Sequence, residues 1–256
     1  MGVRRHQRDW EELAEVDPLW AVLSDPARRG GRWQLDEFLA TGEADADRVL
    51  RVAGELGQPR RRGRVLDFGC GVGRVTRAFA AHFEEAVGVD LSERMVEQAR
   101  RLHADVPNCR FETLSPLEED SFDLVYSRIV LQHLPRAHDA LGYVDEFLRA
   151  VRPDGLVVVQ LPDAIPWRRR LGLRRRAYGT LRALGVGPQR LHAWGLSPIR
   201  VIGIAREDVE RFLAERGATV AVAEPDDAVA GLASFQYYVL PRPPAATDDV
   251  YAVEPS

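Results

Sequence analysis

The 256-residue chain contains no lysine; its 35 basic residues are all arginine. A GC-rich genome produces that bias without any functional cause. It still excludes a Walker loop, whose Gly-Lys-Ser/Thr step needs the lysine. Cysteine is almost as scarce, at Cys70 and Cys109 alone, which is too few for a disulfide framework. Neither a Cys-x-x-Cys nor a His-Glu-x-x-His pattern occurs, so no metal is expected. No apolar run approaches the ~18 residues that cross a bilayer. The opening "MGVRRHQRDWEE" lacks the apolar stretch of a signal peptide. Although it begins Met-Gly, position 6 is His6, so the myristoylation pattern fails. Internal repeats are absent. These absences lead to the expectation of a soluble, cytoplasmic protein with no membrane partner.

What remains is ordinary globular material. A hydrophobic content of 45% with 29% charged residues supplies a core for one large domain, or a core domain with an added lobe. The charge is uneven. Between Pro162 and Ile204 stand nine arginines and one acid, Asp163, while the net charge of the whole is −4. A local charge of about +8 therefore sits in a remainder of about −12.

The first sixty residues read as helices interrupted by Pro18, Pro26 and Gly30-Gly31, the last helix stopping at Gly57. From Arg64, strand and helix alternate. "RVLDF" precedes the helical "GRVTRAFAAHF", and "AVGVD" precedes a helix that Ser92 can cap. "CRFET" and "SFDLVYSRI" follow as strands. Pro135 is expected to open a helix, and "RPDG" to turn into the buried strand "LVVVQL". This order predicts an α/β, doubly wound, mostly parallel sheet. After the basic stretch come a helix, "AREDVERFLAERGA", and a strand pair, "TVAVAEPDD" and "SFQYYVLPR".

The glycines of "RVLDFGCGVGR" lie between a strand and a helix, where backbone amides can approach a ligand closely. A dinucleotide loop needs Gly-x-Gly-x-x-Gly. Gly69 and Gly71 satisfy its first two positions, but Arg74 stands at the third. Asp67, inside the strand end, is also foreign to that pattern, though Asp90 lies at the distance expected of a ribose ligand.

Taken in order, "VLDFGCGVGR", "VGVDLS", "SFDLVYSRIVLQHLP" and "LRAVRPDGLVVVQLP" resemble the successive motifs of class I S-adenosylmethionine-dependent methyltransferases. The likeness covers roughly Arg64 to Leu161 and, more loosely, the last strand pair. It implies a Rossmann-like seven-stranded sheet ordered 3-2-1-4-5-7-6 with the seventh strand antiparallel. The cofactor would lie across strands 1, 2 and 4 and leave as S-adenosylhomocysteine. Carried over, Gly69 and Gly71 pass under the methionyl part, Asp67 organises the loop or holds the amino group, and Asp90 accepts both ribose hydroxyls. Leu91 and Met95 sandwich the adenine, and the carbonyls of Ser127 and Arg128 face the ammonium. Cys70 is a small packing residue within the loop. The family's Gly-Asp pair after strand three is missing, leaving Glu112 or the Thr113 backbone for the adenine amino group.

Methyl transfer requires alignment and exclusion of water, so a lid is expected. The resulting division is a helical cap segment (1–60), the cofactor-binding core (61–161), a basic lid insertion (162–204), the closing helix and strand pair (205–242) and a flexible tail (243–256). Trp20 and Trp33 are candidates either for covering the cofactor or for the core of the helical lobe, and Trp167, Tyr178 and Trp194 lie in the insertion. His133, just past strand four, is a candidate general base, with His192 as the alternative. The expected function is methyl transfer to an O or N atom of a small-molecule acceptor; the insertion's arginines either hold an anionic group of that acceptor or simply solvate an amphipathic lid. An RNA or protein methyltransferase using the same arginines, or an NAD-type oxidoreductase, are the competing readings; nucleic acid is not the expected partner.

Overall fold

The structure, a computed structural model, describes residues 2–163, 165, 172–196, 198–226 and 232–241. Its centre is one seven-stranded sheet in the order β3-β2-β1-β4-β5-β7-β6. The strands are β1 (Arg64–Phe68), β2 (Glu85–Asp90), β3 (Cys109–Thr113), β4 (Phe122–Ser127), β5 (Val151–Pro162), β6 (Thr219–Pro225) and β7 (Ser234–Leu240). Pairing is parallel from β3 through β5, while β7 runs antiparallel to both β5 and β6. This is the predicted topology. The expected tail, Trp167 and Arg168–Arg170 lie outside the described residues.

Side chains alternate across a strand, and here both sides are covered. Leu66, Val125, Val157 and Val159 face α6 (Ala137–Ala150) and α9 (Arg206–Ala214), with Phe147 and Leu213 closing that layer. Val65, Leu124, Leu156 and Val158 face the other way, toward α3 (Leu35–Leu56) and α4 (Arg74–Ala80), around Phe79. Each such fully buried side chain contributes about 1.5–3 kcal/mol.

Helix α3 divides its loyalties. It spans 22 residues, or about 33 Å, so Phe38 reaches one cluster while Val49, Leu50 and Ala53 pack beneath the sheet. The first sixty residues are therefore not a separate lobe. The lobe proper is α1 (Gly2–Val16), α2 (Pro18–Val22) and the start of α3, packed around Leu13, Trp20 and Phe38. Asp17 holds it together, its carboxylate accepting from the backbone N–H groups of Trp20, Gly30 and Gly31.

The helix expected to open at Pro135 begins at Ala137 instead. Leu134, immediately before the proline, is extended (ψ 155°), as the clash with a following pyrrolidine ring requires. Leu131–His133 forms a short 3-10 turn ahead of it. Ser92 does cap α5 (Glu93–Leu102), accepting from the Met95 N–H at 3.2 Å. Gly57 ends α3 in the left-handed conformation. The basic insertion supplies α7 (Leu173–Ala183) and α8 (Pro188–Ala193). No helix among the described residues is long and apolar enough to cross a membrane.

Candidate functional site

At the carboxyl ends of β1, β2 and β4 the chain leaves the sheet through loops that enclose a cavity of about 110 Å³. Gly69, Gly71 and Gly73 all take positive φ, 78°, 55° and 82°, a conformation costly to any residue with a Cβ. Space is short as well. A Cβ on Gly69 would collide with Val130, and one on Gly71 with Val22 of α2. The loop thus offers bare backbone to the cavity.

Asp90 fixes the loop's position. Its Oδ2 accepts from the Gly71 N–H at 2.9 Å and its Oδ1 from the Ser92 N–H at 2.8 Å. Burial raises its carboxyl above the usual range, with the Ser92 and Gly71 amides opposing that rise. Asp67 accepts from the Thr76 hydroxyl at 2.6 Å, and burial pushes its carboxyl up to about 6. Cys70 also lines the cavity; burial drives its thiol well above the ordinary value, so it stays protonated.

Leu91, Met95 and Arg128 line the wall. Ser127 is buried, its hydroxyl donating to the Phe68 carbonyl at 3.0 Å. Glu112 and Thr113 do not line this cavity. Glu112 alternates away from the buried Phe111, both it and Thr113 are exposed, and Leu114 takes the wall position. Leu114 is drawn in by its N–H, which donates to the Asp90 carbonyl at 2.9 Å.

Three wall residues escape the motif reading. Arg74 is 5% exposed and pairs with Asp45 at 2.6 Å, while its Nε has no hydrogen-bond partner. A positive side chain in the first turn of a helix opposes the helix dipole, and that was the available signal. Tyr126 is also buried, with an unpartnered hydroxyl. Trp10 comes from α1, and nothing local in the sequence marks it. Trp20 and Trp33, the other cap candidates, belong to the lobe core: their indole N–H groups donate to the carbonyls of Asp25 and Leu23.

The loop after β4 is held under strain. Ile129, a β-branched residue lining the cavity, has φ 62°. Its N–H donates to Gln160 Oε1 at 2.9 Å, and Gln160 Nε2 in turn donates to Gln132 Oε1 at 3.1 Å. Strain of this kind persists where surrounding structure over-determines it.

A second cavity, of about 660 Å³, lies beyond Trp10, which lines both. Its wall includes His133, Arg175, Arg176, Tyr178 and Arg200. The segment returning from the insertion is stitched to the loop after β4. The Ile202 N–H donates to the Gln132 carbonyl, and Arg200 Nη1 donates to the Pro135 carbonyl. His133 Nδ1 lies 2.9 Å from the Arg200 carbonyl. A carbonyl only accepts, so Nδ1 carries the proton, and Nε2 accepts from the Gln132 amide at 3.2 Å. Trp10 meets the His133 ring edge-on at 5.4 Å. His192 lines neither cavity. It is buried with both ring nitrogens unpartnered, and burial lowers its pKa. Among the described residues no cluster of His, Cys, Asp or Glu could hold a metal.

A family model described as a methyltransferase domain matches residues 66–159. A trans-aconitate 2-methyltransferase of Methylobacterium nodulans is 31% identical over 180 residues, covering 68% of this chain and 63% of that protein. A malonyl-[acyl-carrier protein] O-methyltransferase of Enterobacter lignolyticus is 37% identical over 139 residues, covering 54% and 51%. The chain spans about half the length of several curated relatives that it matches, 51% for an uncharacterized methyltransferase of Bacillus subtilis. Among solved structures, the magnesium protoporphyrin IX methyltransferase of Synechocystis, crystallised with S-adenosylhomocysteine, has a TM-score of 0.56 at 18% identity. That alignment covers 84% of this chain and 90% of the other, a likeness of fold.

Proposed function

The chain belongs to the class I S-adenosylmethionine-dependent methyltransferases, and from that premise we propose that it methylates an oxygen or nitrogen of a small anionic acceptor. The observation that carries this reading is the pair of adjoining cavities that share Trp10, one walled by the glycine loop and Asp90, the other by Arg175, Arg176 and Arg200.

The first cavity fits the cofactor in its chemistry. Gly69 and Gly71 present backbone to the methionyl part, Asp67 and the carbonyls of Ser127 and Arg128 serve its ammonium, and Arg74 offers its unpartnered Nε to the carboxylate. Asp90 takes the ribose hydroxyls, with Leu91, Met95 and Leu114 around the adenine. A cavity of about 110 Å³ is smaller than the roughly 300 Å³ where ligand pockets begin. Cofactor entry should therefore displace the α1–α2 segment, which lays Val22 over Gly71. The bound cofactor supplies a methyl group already activated by a sulfonium charge, so this chain's residues align partners and exclude water. Calorimetric titration with S-adenosylmethionine, free of metal, should show binding; binding of NAD in its place would defeat the proposal.

Trans-aconitate and the malonyl group, the acceptors in two relatives' names, both carry carboxylates. Arg176 and Arg200 suit such a group, and the charge reversals Arg176→Glu and Arg200→Glu are expected to raise the acceptor's KM about tenfold each. Cofactor affinity should be unchanged. A panel of dicarboxylic acids, phosphorylated compounds and neutral alcohols tests this. Turnover of a neutral alcohol with kinetics indifferent to salt and to both substitutions overturns the anionic acceptor.

A carboxylate is ionised at neutral pH and needs no base. Both nitrogens of His133 are engaged, so for that acceptor it is a positioning residue for Trp10 and Arg200. His133→Ala should then lower kcat/KM about tenfold, with the pH profile unchanged in shape. A loss nearer a hundredfold, with the acidic limb of the profile gone, would make Nε2 the base for a hydroxyl acceptor.

A further inference from the structure

The face of residues 173–196 turned away from the acceptor cavity carries apolar and basic side chains with no role in the cofactor or acceptor sites. Four large hydrophobic side chains are exposed among the described residues, and three are in the lid: Leu173 (69%), Leu184 (75%) and Trp194 (61%). Leu173 and Leu184 are eleven positions apart, about 20° from alignment after three helical turns, so they lie on one stripe of α7. The half-exposed Ala177 lies between them, while Tyr178 is buried against the molecule and Thr180 turns to the acceptor cavity. Arg174 flanks the stripe and is exposed. Residues 172–196 hold five arginines and no acid. Arg174, Arg176 and Arg190 form no ion pair with any described residue.

A second copy of this face would set cation against cation. A nucleic acid would satisfy the arginines but leave the leucines in water. A lipid surface accepts both: apolar side chains enter the acyl boundary while arginines reach anionic headgroups. We propose that the outer face of α7 and α8 docks on anionic lipid bilayers. The absence of a long apolar run excludes a membrane-crossing helix but not this mode, because a helix lying in the interface needs only one apolar face. The same helix walls the acceptor cavity through Arg175 and Arg176, so docking and acceptor access share one element.

Cosedimentation of the full chain with phosphatidylcholine vesicles, with and without phosphatidylglycerol, tests the proposal. Binding is expected only with phosphatidylglycerol, weakening as salt rises. Arg174→Gln and Arg190→Gln should each lower partitioning roughly fivefold. The double variant Leu173→Ser/Leu184→Ser should lower it tenfold or more, with melting temperature and S-adenosylmethionine binding unchanged. Three results overturn the proposal: no partitioning at low salt, undiminished partitioning of the double serine variant, or a self-associated protein that this variant converts to monomer in ultracentrifugation.

Discussion

Asp90→Ala should bind S-adenosylmethionine a hundredfold or more weaker than the parent chain, in a protein that still folds. An ionised carboxylate accepting two ribose hydroxyls contributes roughly 1.5–3 kcal/mol per hydrogen bond, and about 1.4 kcal/mol is a factor of ten. The same side chain already orients the ligand-facing loop through the Gly71 and Ser92 amides. Its removal therefore costs preorganisation as well as contacts. The fold tolerates the change because burial disfavours this charge, which offsets the lost amide bonds. Asp90→Asn, retaining one oxygen, should lose about tenfold. Calorimetric titrations beside melting curves separate affinity from unfolding; an unaltered titration of Asp90→Ala would remove Asp90 from the site.

Asp67→Asn is expected to stabilise the cofactor-free protein by about 3 kcal/mol at pH 8 and by only about 0.5 kcal/mol at pH 4. The sign follows from proton linkage. Burial raises the folded carboxyl to about 6 from an ordinary 3.8, so between those values the folded state binds more protons than the unfolded. Stability therefore falls as pH rises through that window, by about 1.4 kcal/mol for each step of one in pH, and stays reduced above it. Asparagine carries no such penalty and keeps an oxygen for the Thr76 hydroxyl. Cofactor affinity should move oppositely, falling about tenfold at pH 7. An ammonium seated beside Asp67 favours its ionised form, so affinity in the parent chain rises with pH through about 6. Urea denaturation from pH 4 to 8 decides the first part; a difference between the two proteins that is flat across that range refutes it.

The sheet was legible because each strand is a short apolar run bounded by a turn or cap, and because strand and helix alternate. Ser92, Gly57 and the β5 run needed only local rules. The glycine loop and Asp90 were legible for the same reason, being adjacent in sequence to the strands that carry them. What escaped depends on distance along the chain. Trp10 meets His133 across 123 positions, and no local periodicity encodes such a meeting. Helix α3 reads as part of the lobe because its pattern is continuous, although its two ends serve different clusters. The sequence offers Glu112 or the Thr113 backbone for the adenine amine on chemical grounds, and nothing in it marks Leu114. Strand alternation turned Glu112 outward, and the Asp90 carbonyl drew Leu114 inward.

Trp10 belongs to both cavity walls, so the two compartments share one side chain. A side chain shared by two compartments cannot answer each ligand separately: whatever posture one ligand imposes on it, the other encounters. On the proposed assignment, occupancy of the arginine-lined compartment should change retention of the nucleoside, and the nucleoside should change acceptor affinity by the same factor. The expected result is an ordered kinetic pattern with the nucleoside first in and last out, and Trp10→Ala should weaken that coupling.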